Sequence, residues 1–453
     1  MSRPRRAHSG GVRGGAAALV GGLIVASAAS ASAGSFDVFG FGSRSLSMGG
    51  AMTAASDDYT AAFYNAAALT GRDKVQLGVD VYTALPSLEI TPTGPVQAGF
   101  EPEPVQPHSG VSFGVLFPFG GKVENRFALG AAVHVPIGGL LTAEFLDPQV
   151  PQWYRYNSLP QKLHVAVAAS WRPWPMLHLG VGAQVLAGVN GGATVVLDLP
   201  DEQIPRRDIG VELETTASPT AGILFEPPVA GLRLGASWRD SLGLELALPI
   251  LFDNGEVLDF VVAVAGVSLY VPEQLAFGAA WDMRPTIGVP LNLALDVAWD
   301  RWSQAPTPEI AVNIDVQGAA VEGLGFAEGL DFSSGTLPPI GFEDTVTVRV
   351  GLEAFVTDAF VLRAGYGYRP TAIAPQTGFS SFVDSDAHIL GAGGAVSAPD
   401  PLEIDENPVT LELGAQLILL SSQEVQKPAG SPVSGFGASG SLLTLSLTVR
   451  HDF

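Results

Sequence analysis

The side chains best suited to catalysis or metal binding are dispersed along the chain. His134, His164, His178 and His388 fall in separate segments, and serine and aspartate are too frequent for their positions to indicate a triad. The zinc signature His-Glu-x-x-His, which places two histidines on one helical face, does not occur. Cysteine is absent, which excludes disulfides and thiolate ligands. We therefore expect no catalytic residues, no metal and no cofactor.

Charged residues within otherwise apolar segments are more informative. They occur where side chains alternate between apolar and polar, and they share the polar face of those segments. A lone arginine on such a face could bind a carboxylate ligand. Alternatively, the charges form salt bridges that brace the fold. The charged residues are Asp296, Asp300, Arg349, Glu353, Arg363, Arg369 and Asp386. The candidate ligand contacts among the polar side chains are Arg349, Arg363, Asp386 and His388.

The chain begins with a segment whose composition differs from that of the remaining residues. Four arginines precede an apolar run over 16–29 and a small-residue site at 31–33. This order predicts a secretory signal peptide over 1–33, since the apolar run is shorter than the roughly 20 residues that a membrane-spanning helix needs. The paired arginines leave a twin-arginine signal open as an alternative to general export. The four arginines are Arg3, Arg5, Arg6 and Arg13.

Charge and hydropathy narrow the classes of partner and fold. Loss of the four arginines takes the formal net charge from −22 to −26, so nucleic acid is not an expected partner. Mean hydropathy is positive, at +0.29, although no segment after the signal peptide is long and apolar enough for a spanning helix. Apolar residues spread evenly among polar ones are what a β-barrel in a bilayer requires.

Strict alternation of apolar and polar residues dominates from Lys74 onward. Alternation places one set of side chains on each face of a strand, and runs of this length cross a bilayer as tilted strands. The clearest example is near the C-terminus, where Leu445, Leu447 and Val449 alternate with Thr444, Ser446 and Thr448. A soluble sandwich also alternates, but charge on the polar face and aromatic residues near strand ends favour a membrane barrel with an aromatic girdle.

The alternating runs predict an all-β fold, a transmembrane antiparallel β-barrel of about 14 strands over 74–453. An even number of strands returns the last strand to the side from which the first one rises. Short connections alternate with long ones, so the short turns should face the periplasm. Residues 242–271 fit either longer neighbouring strands or an extra hairpin. The predicted strands cover 74–85, 109–118, 124–136, 161–172, 176–190, 213–225, 231–241, 272–283, 289–302, 343–355, 359–369, 386–396, 407–420 and 440–453.

The segment between the signal peptide and the barrel, 34–73, does not alternate and is rich in alanine, glycine and serine. Asp57 or Asp58 could cap a short helix that Gly71 ends. Short helices and turns ahead of a wide barrel predict a plug in its lumen, here called the hatch. A periplasmic leader is the alternative. Because few of the side chains are large, we expect few buried contacts and low local stability.

Seven motifs recur in a recognisable order, although none is specific alone. They lie at 44–51 (Arg-Ser-Leu-Ser-Met-Gly-Gly-Ala), 57–58 with 65–69, 135–139, 272–281, 296–303, 362–368 and 384–388. Their order and spacing over most of the chain resemble the long-chain fatty-acid transporter (FadL-type) outer-membrane proteins, a family that includes importers of aromatic hydrocarbons. The resemblance implies a barrel of fourteen strands closed by an N-terminal hatch. Asn65, Ala66 and Ala67 match the family's Asn-Pro-Ala hatch motif, with Ala66 in place of the proline whose ring fixes the backbone angle.

The resemblance also implies a route for the ligand. In the family, a hydrophobic ligand is captured outside, moves to a site in the barrel and leaves sideways through a wall opening beside the third strand. Pro136, Gly138 and Gly139 stand at the end of the third predicted strand. They could weaken the hydrogen-bond ladder there, or they could simply begin a loop.

These patterns predict a passive transporter in the cell outer membrane that takes up hydrophobic small molecules, such as long-chain fatty acids or aromatic hydrocarbons. The expected partners are that ligand, outer-membrane lipid and, through the terminal Phe453, the barrel-assembly machinery. Two alternatives remain open at this point. One is a non-transport barrel with a structural or secretion-associated role, and the other is a water-filled general porin.

Overall fold

The computed structural model describes residues 40–120, 126–138, 147–157, 163–198, 203–253, 259–307, 310–317, 330–333, 338–401 and 406–453. The predicted signal peptide and Gly139 lie outside these residues. Within them, no helix is long and apolar enough to cross a membrane. The helices are α1 (Ser43–Ser47), α2 (Ala61–Tyr64), α3 (Tyr154–Asn157) and α4 (Arg284–Ile287), with 3₁₀ helices at Ala66–Gly71 and Trp302–Gln304.

Strands make up most of the described chain, as the alternating side chains require. The strands are β1 (Gln76–Pro92), β2 (His108–Phe119), β3 (Phe127–Pro136), β4 (Gln152–Trp153), β5 (His164–Trp174), β6 (Leu177–Asp198), β7 (Gln203–Phe225), β8 (Leu232–Arg239), β9 (Leu242–Asp253), β10 (Asp259–Val271), β11 (Gln274–Asp282), β12 (Leu291–Asp300), β13 (Ile310–Gln317), β14 (Leu330–Ser333), β15 (Thr345–Thr357), β16 (Phe360–Arg369), β17 (Phe382–Val383), β18 (Ala387–Ala398), β19 (Val409–Gln426) and β20 (Gly435–Asp452).

Fourteen of these strands close into an antiparallel barrel, which confirms the predicted fold class. Each strand pairs with the next one around the wall, and β1 pairs with β20 along its whole length, from Gln76↔Asp452 to Pro92↔Phe436. Closure leaves no unpaired edge in the wall. The barrel strands are β1, β2, β3, β5, β6, β7, β8, β11, β12, β15, β16, β18, β19 and β20.

Residues 242–271 form an extra hairpin, β9 and β10, which decides between the two predicted alternatives. β10 continues into a small sheet with β13 and β14. The sheet is attached to the barrel where β9 runs parallel to the far end of β6, from Ala193↔Ile250 to Val196↔Asp253. It therefore extends the wall beyond the rim at the end of the barrel that carries the long connections.

The two faces of the wall differ as the alternation predicts. On β20, Leu445, Leu447 and Val449 are exposed on the outer face, whereas Thr444, Ser446 and Thr448 are buried inside. Trp171, Trp174, Trp299 and Tyr366 are exposed near strand ends, as the predicted girdle requires, but Trp302 is buried. A closed wall with an apolar outer face and aromatic residues near its ends is that of an outer-membrane barrel. The end with short turns, such as that between Thr357 and Phe360, is then the periplasmic end.

The described part of the hatch, 40–73, lies inside the barrel. Its side chains from Phe41 to Thr70 are almost all buried. α1 packs against β18, β19 and β20, while the 3₁₀ helix Ala66–Gly71 packs against β5, β6 and β7 on the other side of the lumen. The expectation of few buried contacts is therefore wrong, because the small hatch residues fit closely against the wall.

Candidate functional site

Inward-facing glycines of the wall make room for the hatch. The ring of Tyr59 lies where side chains at two wall positions would be, since a Cβ on Gly78 or Gly114 would come within 2.0 or 1.9 Å of its atoms. Close packing of this kind leaves no space for a larger residue. Other wall glycines whose Cβ would come within 3.0 Å of hatch atoms are Gly130, Gly180, Gly222, Gly235, Gly278, Gly351, Gly365, Gly391, Gly393 and Gly414. The wall and the hatch are thus fitted to each other around the whole lumen.

Asn65 links two parts of the hatch to the wall. Its Nδ2 donates to the carbonyl oxygens of Thr53, at 2.8 Å, and Ile223 of β7, at 3.2 Å. Its Oδ1 accepts a hydrogen bond of 3.1 Å from the Ala67 nitrogen and so caps the 3₁₀ helix. The side chain is 1% exposed. Asn65 therefore serves as an anchor and as a helix cap at once.

Ion pairs fix the other side of the hatch to the wall. Arg44 of α1 donates its Nε and Nη2 to the two oxygens of Glu353 on β15, each at 2.8 Å. This bidentate geometry is the strong form of an arginine–carboxylate contact. Asp58 of the hatch forms an ion pair of 3.3 Å with Arg450 on β20. The hatch is thus held by charges at two separate strands.

The same ion pairs continue from strand to strand along the wall. Arg363 on β16 pairs with Glu353, at 2.9 Å, and with Glu412 on β19, at 2.8 Å. Arg450 pairs with the other oxygen of Glu412 at 3.1 Å. Asn292 of β12 donates to Glu353 at 2.7 Å. Arg363 was a predicted ligand contact, but the structure places it in this network, as the salt-bridge alternative predicted.

The neighbouring arginines keep the Asp57 carboxylate of the hatch ionised. Burial alone would raise the pKa of the Asp57 carboxyl, but the guanidinium groups of Arg44, Arg72 and Arg233 hold that pKa well below its ordinary value. The hatch carboxylate therefore remains charged under physiological conditions. Arg44, Asp58, Glu412 and Arg450 were not singled out as site residues, although Arg44 and Asp58 belong to motifs that carried the resemblance.

Arg349 is the predicted contact that remains inside the lumen beside a cavity. A small cavity, with room of about 30 Å³, lies between the hatch and the wall, and Arg349, Arg239, Gln274 and Gln416 line it with hatch residues such as Tyr64. The structure shows no carboxylate within ion-pair distance of Arg349 among the described residues. Its guanidinium is therefore available to donate hydrogen bonds to a ligand at this level.

The predicted lumen positions of Asp386 and His388 are wrong. The inward residues of β18 are odd-numbered, since Ala387 and Ile389 are buried. His388 is exposed on the outer face. Its ring shares a hydrogen bond of 2.9 Å with the Tyr366 hydroxyl. Asp386 precedes the strand and accepts a hydrogen bond of 2.8 Å from the Tyr368 hydroxyl. Both residues therefore belong to the outer rim.

Two loops fold into the mouth of the barrel above this cavity. β4 and β17 pair in parallel, which brings Trp153 beside Phe382 and Val383. Arg155 forms an ion pair of 3.0 Å with Asp384 and stacks on Trp302, at 4.2 Å from the ring centroid. The loops of the mouth are thus packed together by buried aromatic side chains. The clustered aromatic residues at 153–156 were a signal that sequence reasoning missed.

The predicted wall opening falls at the outer end of β3. β3 pairs with β2 as far as Gly110↔Pro136 and with β5 as far as His134↔His164, without a register shift on either side. Pro136 therefore lies just beyond the last described pair with β5, and Gly138 follows with a φ of 106°. The described wall is continuous from Phe127 to His134, so any opening would have to lie beyond it.

The lumen holds no evident metal site within the described ranges, where no three histidine, aspartate or glutamate side chains are grouped to bind an ion.

No protein-family model and no curated protein sequence matches the chain. Solved structures do match. The crystal structure of a Pseudomonas aeruginosa FadL homologue superposes with a TM-score of 0.58 at 14% identity, over 94% of this chain and 100% of that one.

Two other solved structures superpose in the same way. The Ralstonia pickettii toluene transporter TbuX gives a TM-score of 0.54 at 15% identity, over 92% of this chain and 100% of its own. The P. putida toluene transporter TodX gives 0.55 at 14% identity, over 92% and 99%. The chain has the FadL-type fold.

Within this FadL-type barrel, Ala66 is the first residue of the 3₁₀ helix and Asn65 before it is extended, with φ −159° and ψ 101°. The hatch turn therefore forms without the proline, at a position that would suit one.

Proposed function

We propose that the protein is a passive transporter for hydrophobic small molecules across the outer membrane. The observation that carries this proposal is the hatch, which occupies the lumen and contacts the wall on opposite sides. A lumen filled in this way favours gated passage of individual ligands over free diffusion of water and solutes. The toluene transporters that share the fold are named for such a ligand.

The arrangement of the lumen supports a route in three stages. A ligand would first meet the closed loops of the mouth, which would have to part to expose aromatic side chains such as Trp153 and Phe382. It would then reach Arg349, where the cavity between the hatch and the wall would have to widen, because a space of about 30 Å³ holds only one or two water molecules. The hatch would have to loosen for passage to the periplasm, or the ligand would leave through a wall opening near Pro136, Gly138 and Gly139. Passage to the periplasm through a loosened hatch would depend on Asn65, Ala66 and Ala67.

Asn65→Ala tests the role of the hatch. The substitution removes three side-chain hydrogen bonds at roughly 1 kcal/mol each, two donated by Nδ2 and one accepted by Oδ1, which destabilises the seated hatch. We expect uptake of a labelled long-chain fatty acid or alkylbenzene to rise in cells that make the variant, with the barrel still folded. Asn313→Ala, an exposed asparagine of β13, is the matched control. Equal uptake by Asn65→Ala and wild type at equal surface level would remove Asn65 from the mechanism.

Arg349→Gln tests which ligand class uses the lumen cavity. A guanidinium stabilises a carboxylate through charge-assisted hydrogen bonds worth roughly 1.5–3 kcal/mol. We expect the variant to lower fatty-acid uptake about tenfold or more by this reasoning and to leave alkylbenzene uptake unchanged. An equal effect on both ligands would show that Arg349 has only a structural role.

The same measurements separate the alternative functions. Absence of uptake of either ligand by wild type, with the protein assembled in the membrane, would favour a non-transport barrel. A large and steady conductance of the intact protein in liposomes would favour a general porin, because a seated hatch should block ion flow.

A further inference from the structure

A second cavity, of about 560 Å³, opens at the periplasmic end below the hatch. It is bounded by the underside of the hatch, by the turns that follow β5 and β7, and by the inner faces of β8, β15 and β16. This cavity, here called the vestibule, is separate from the small cavity beside Arg349, which lies on the opposite side of the hatch. Nothing in the proposed route requires it to bind a ligand.

Arginine is concentrated around the vestibule. Six arginines line it against four acidic residues, Asp57, Glu226, Asp282 and Glu353, in a chain whose formal net charge is −22. The lining residues thus carry more positive than negative charges, although three of the arginines also pair with carboxylates outside the lining, Asp58, Glu412 and Asp452. Five of the arginines form ion pairs with carboxylates: Arg44, Arg72, Arg284, Arg363 and Arg450.

Arg233 is the sixth, and its guanidinium is only partly engaged. The residue points inward from β8, and its Nη2 donates a hydrogen bond of 3.1 Å to the carbonyl oxygen of Ala55 in the hatch. No carboxylate of the described residues lies within ion-pair distance of it, although Asp57, Glu226 and Asp282 are close enough to interact with it electrostatically. A guanidinium has five N–H donors, so Arg233 presents unused donors to the vestibule.

Apolar side chains form the adjoining part of the lining. Met176 and Val229 belong to neighbouring periplasmic turns, and each is 45% exposed. Phe355 of β15 continues the apolar surface up the wall. Exposed apolar groups beside a cationic group are the features that a binding site for an amphiphile combines.

We propose that the vestibule binds a hydrocarbon chain with a carboxylate head group. Arg233 would take the carboxylate through paired N–H donors, while the chain lies against Met176, Val229 and Phe355. The inference rests on the proposed transport function only for the source of the ligand, which would arrive past the hatch. The binding itself requires no transport. The vestibule would then retain fatty acids, but not neutral hydrocarbons, at the periplasmic exit.

Ala230 allows a test that breaks no contact. Its side chain is exposed and lines the vestibule, so Ala230→Glu adds a negative charge there, and Ala230→Gln is a control of the same shape. The full chain, purified in a neutral detergent, is titrated with dodecanoate and with uncharged dodecanol. Both titrations use the Arg349→Gln background, which removes one of the two arginines that line the other cavity and leaves Arg239 the same in every variant. Heat-modifiable migration on gels verifies that each variant is folded.

We expect Ala230→Glu to weaken dodecanoate binding roughly five- to tenfold relative to Ala230→Gln, as like charges near a protein surface repel. Arg233→Gln should weaken it roughly tenfold or more, through loss of charge-assisted hydrogen bonds. Dodecanol binding should be the same in all variants. Arg172→Gln, at the same end but outside the vestibule lining, should change neither ligand.

Equal dodecanoate affinity in Ala230→Glu and Ala230→Gln would overturn the proposal, as would dodecanol binding that falls in parallel. Cellular uptake separates this outcome from failure of transport. Charge-sensitive dodecanoate binding in a protein that transports nothing would retain the vestibule site and reject the transport function. Normal uptake, together with dodecanoate binding that neither Ala230→Glu nor Arg233→Gln changes, would retain the transport function and reject the vestibule site.

Discussion

Single residues of the wall determine where the hatch can rest. At Gly180 of β6, a Cβ would lie 2.2 Å from the Ala67 nitrogen and 2.3 Å from the Ala66 carbonyl carbon. Both are backbone atoms, which cannot rotate away as a flexible side chain could. The absence of a side chain at Gly180 is therefore a condition for the position of the motif Asn65-Ala66-Ala67.

Gly180→Ala should displace the hatch. Overpacking of a close-fitting contact costs typically about 1–3 kcal/mol, and the hatch can relieve it by moving. The displacement can be measured as maleimide labelling of Ser56→Cys, since Ser56 is buried and the natural chain has no cysteine. Gly437→Ala is the control, because its Cβ would have its nearest neighbour 4.0 Å away. Labelling that is equally slow in both variants would show that the hatch tolerates the added methyl group.

Whether a wall residue points into the lumen or outward could be predicted only on strands whose two faces differ in polarity. On β20 threonine and serine alternate with leucine, and every assignment of those side chains to a face agrees with the structure. On β18 the inward Ile389 is apolar and the outward His388 is polar, while glycine and alanine occupy both faces further along. Alternation there carries no information about orientation, which is why His388 was misplaced.

Among the elements, the loops of the mouth are held by one buried ion pair. Asp384 lies between β17 and β18, and Arg155 on α3 donates to it at 3.0 Å. Burial alone would raise the pKa of the Asp384 carboxyl, but Arg155 and Arg369 lower it below its ordinary value. The contact therefore stabilises the closed mouth as long as the carboxyl is ionised.

Acid should open the mouth before it unfolds the barrel. Because the pKa of Asp384 is depressed in the folded protein, its contribution is complete above the ordinary carboxyl pKa of 3.8 and is lost as pH falls toward the folded value. Pepsin cleavage of these loops, followed from about pH 5 to about pH 2, should rise steeply below about pH 4. Asp384→Asn should show rapid cleavage throughout, whereas exposed Glu103→Gln should behave as wild type. Cleavage of wild type that does not change with pH would contradict this role.

Strands could be predicted from the sequence far better than the contacts of the hatch. All fourteen predicted strands overlap barrel strands, because each carries its own signal in local alternation. The position of the hatch depends on contacts between residues far apart in the sequence, and no local pattern indicates such contacts. Arg44 meets Glu353, which is 309 residues away. Small residues in 34–73 suggested weak contacts because the glycines that complement them lie on distant strands.

For the whole molecule, the last residue joins the two ends of the barrel wall. The Phe453 nitrogen donates to the Val75 carbonyl oxygen at 2.7 Å, and its ring packs edge-on to His451, with centroids 4.3 Å apart. We propose that the barrel-assembly machinery recognises this terminal aromatic residue. Deletion of Phe453 should then lower the yield of assembled, heat-modifiable barrel, while Phe113→Ala, an exposed phenylalanine of β2, should not. Unaltered yield without Phe453 would remove it as an assembly signal.

The hatch also bridges the seam at which β1 meets β20. Tyr59 fills the space at Gly78 on β1, whereas the Ser43 hydroxyl lies 2.8 Å from that of Ser446 on β20, 403 residues later in the chain. Residues synthesised early must therefore wait for the final strand before they find their partners. Contacts between such distant residues form slowly. A chain cut short before β20 can neither close its wall nor seat its hatch, so an incomplete product stays open and recognisable to proteases.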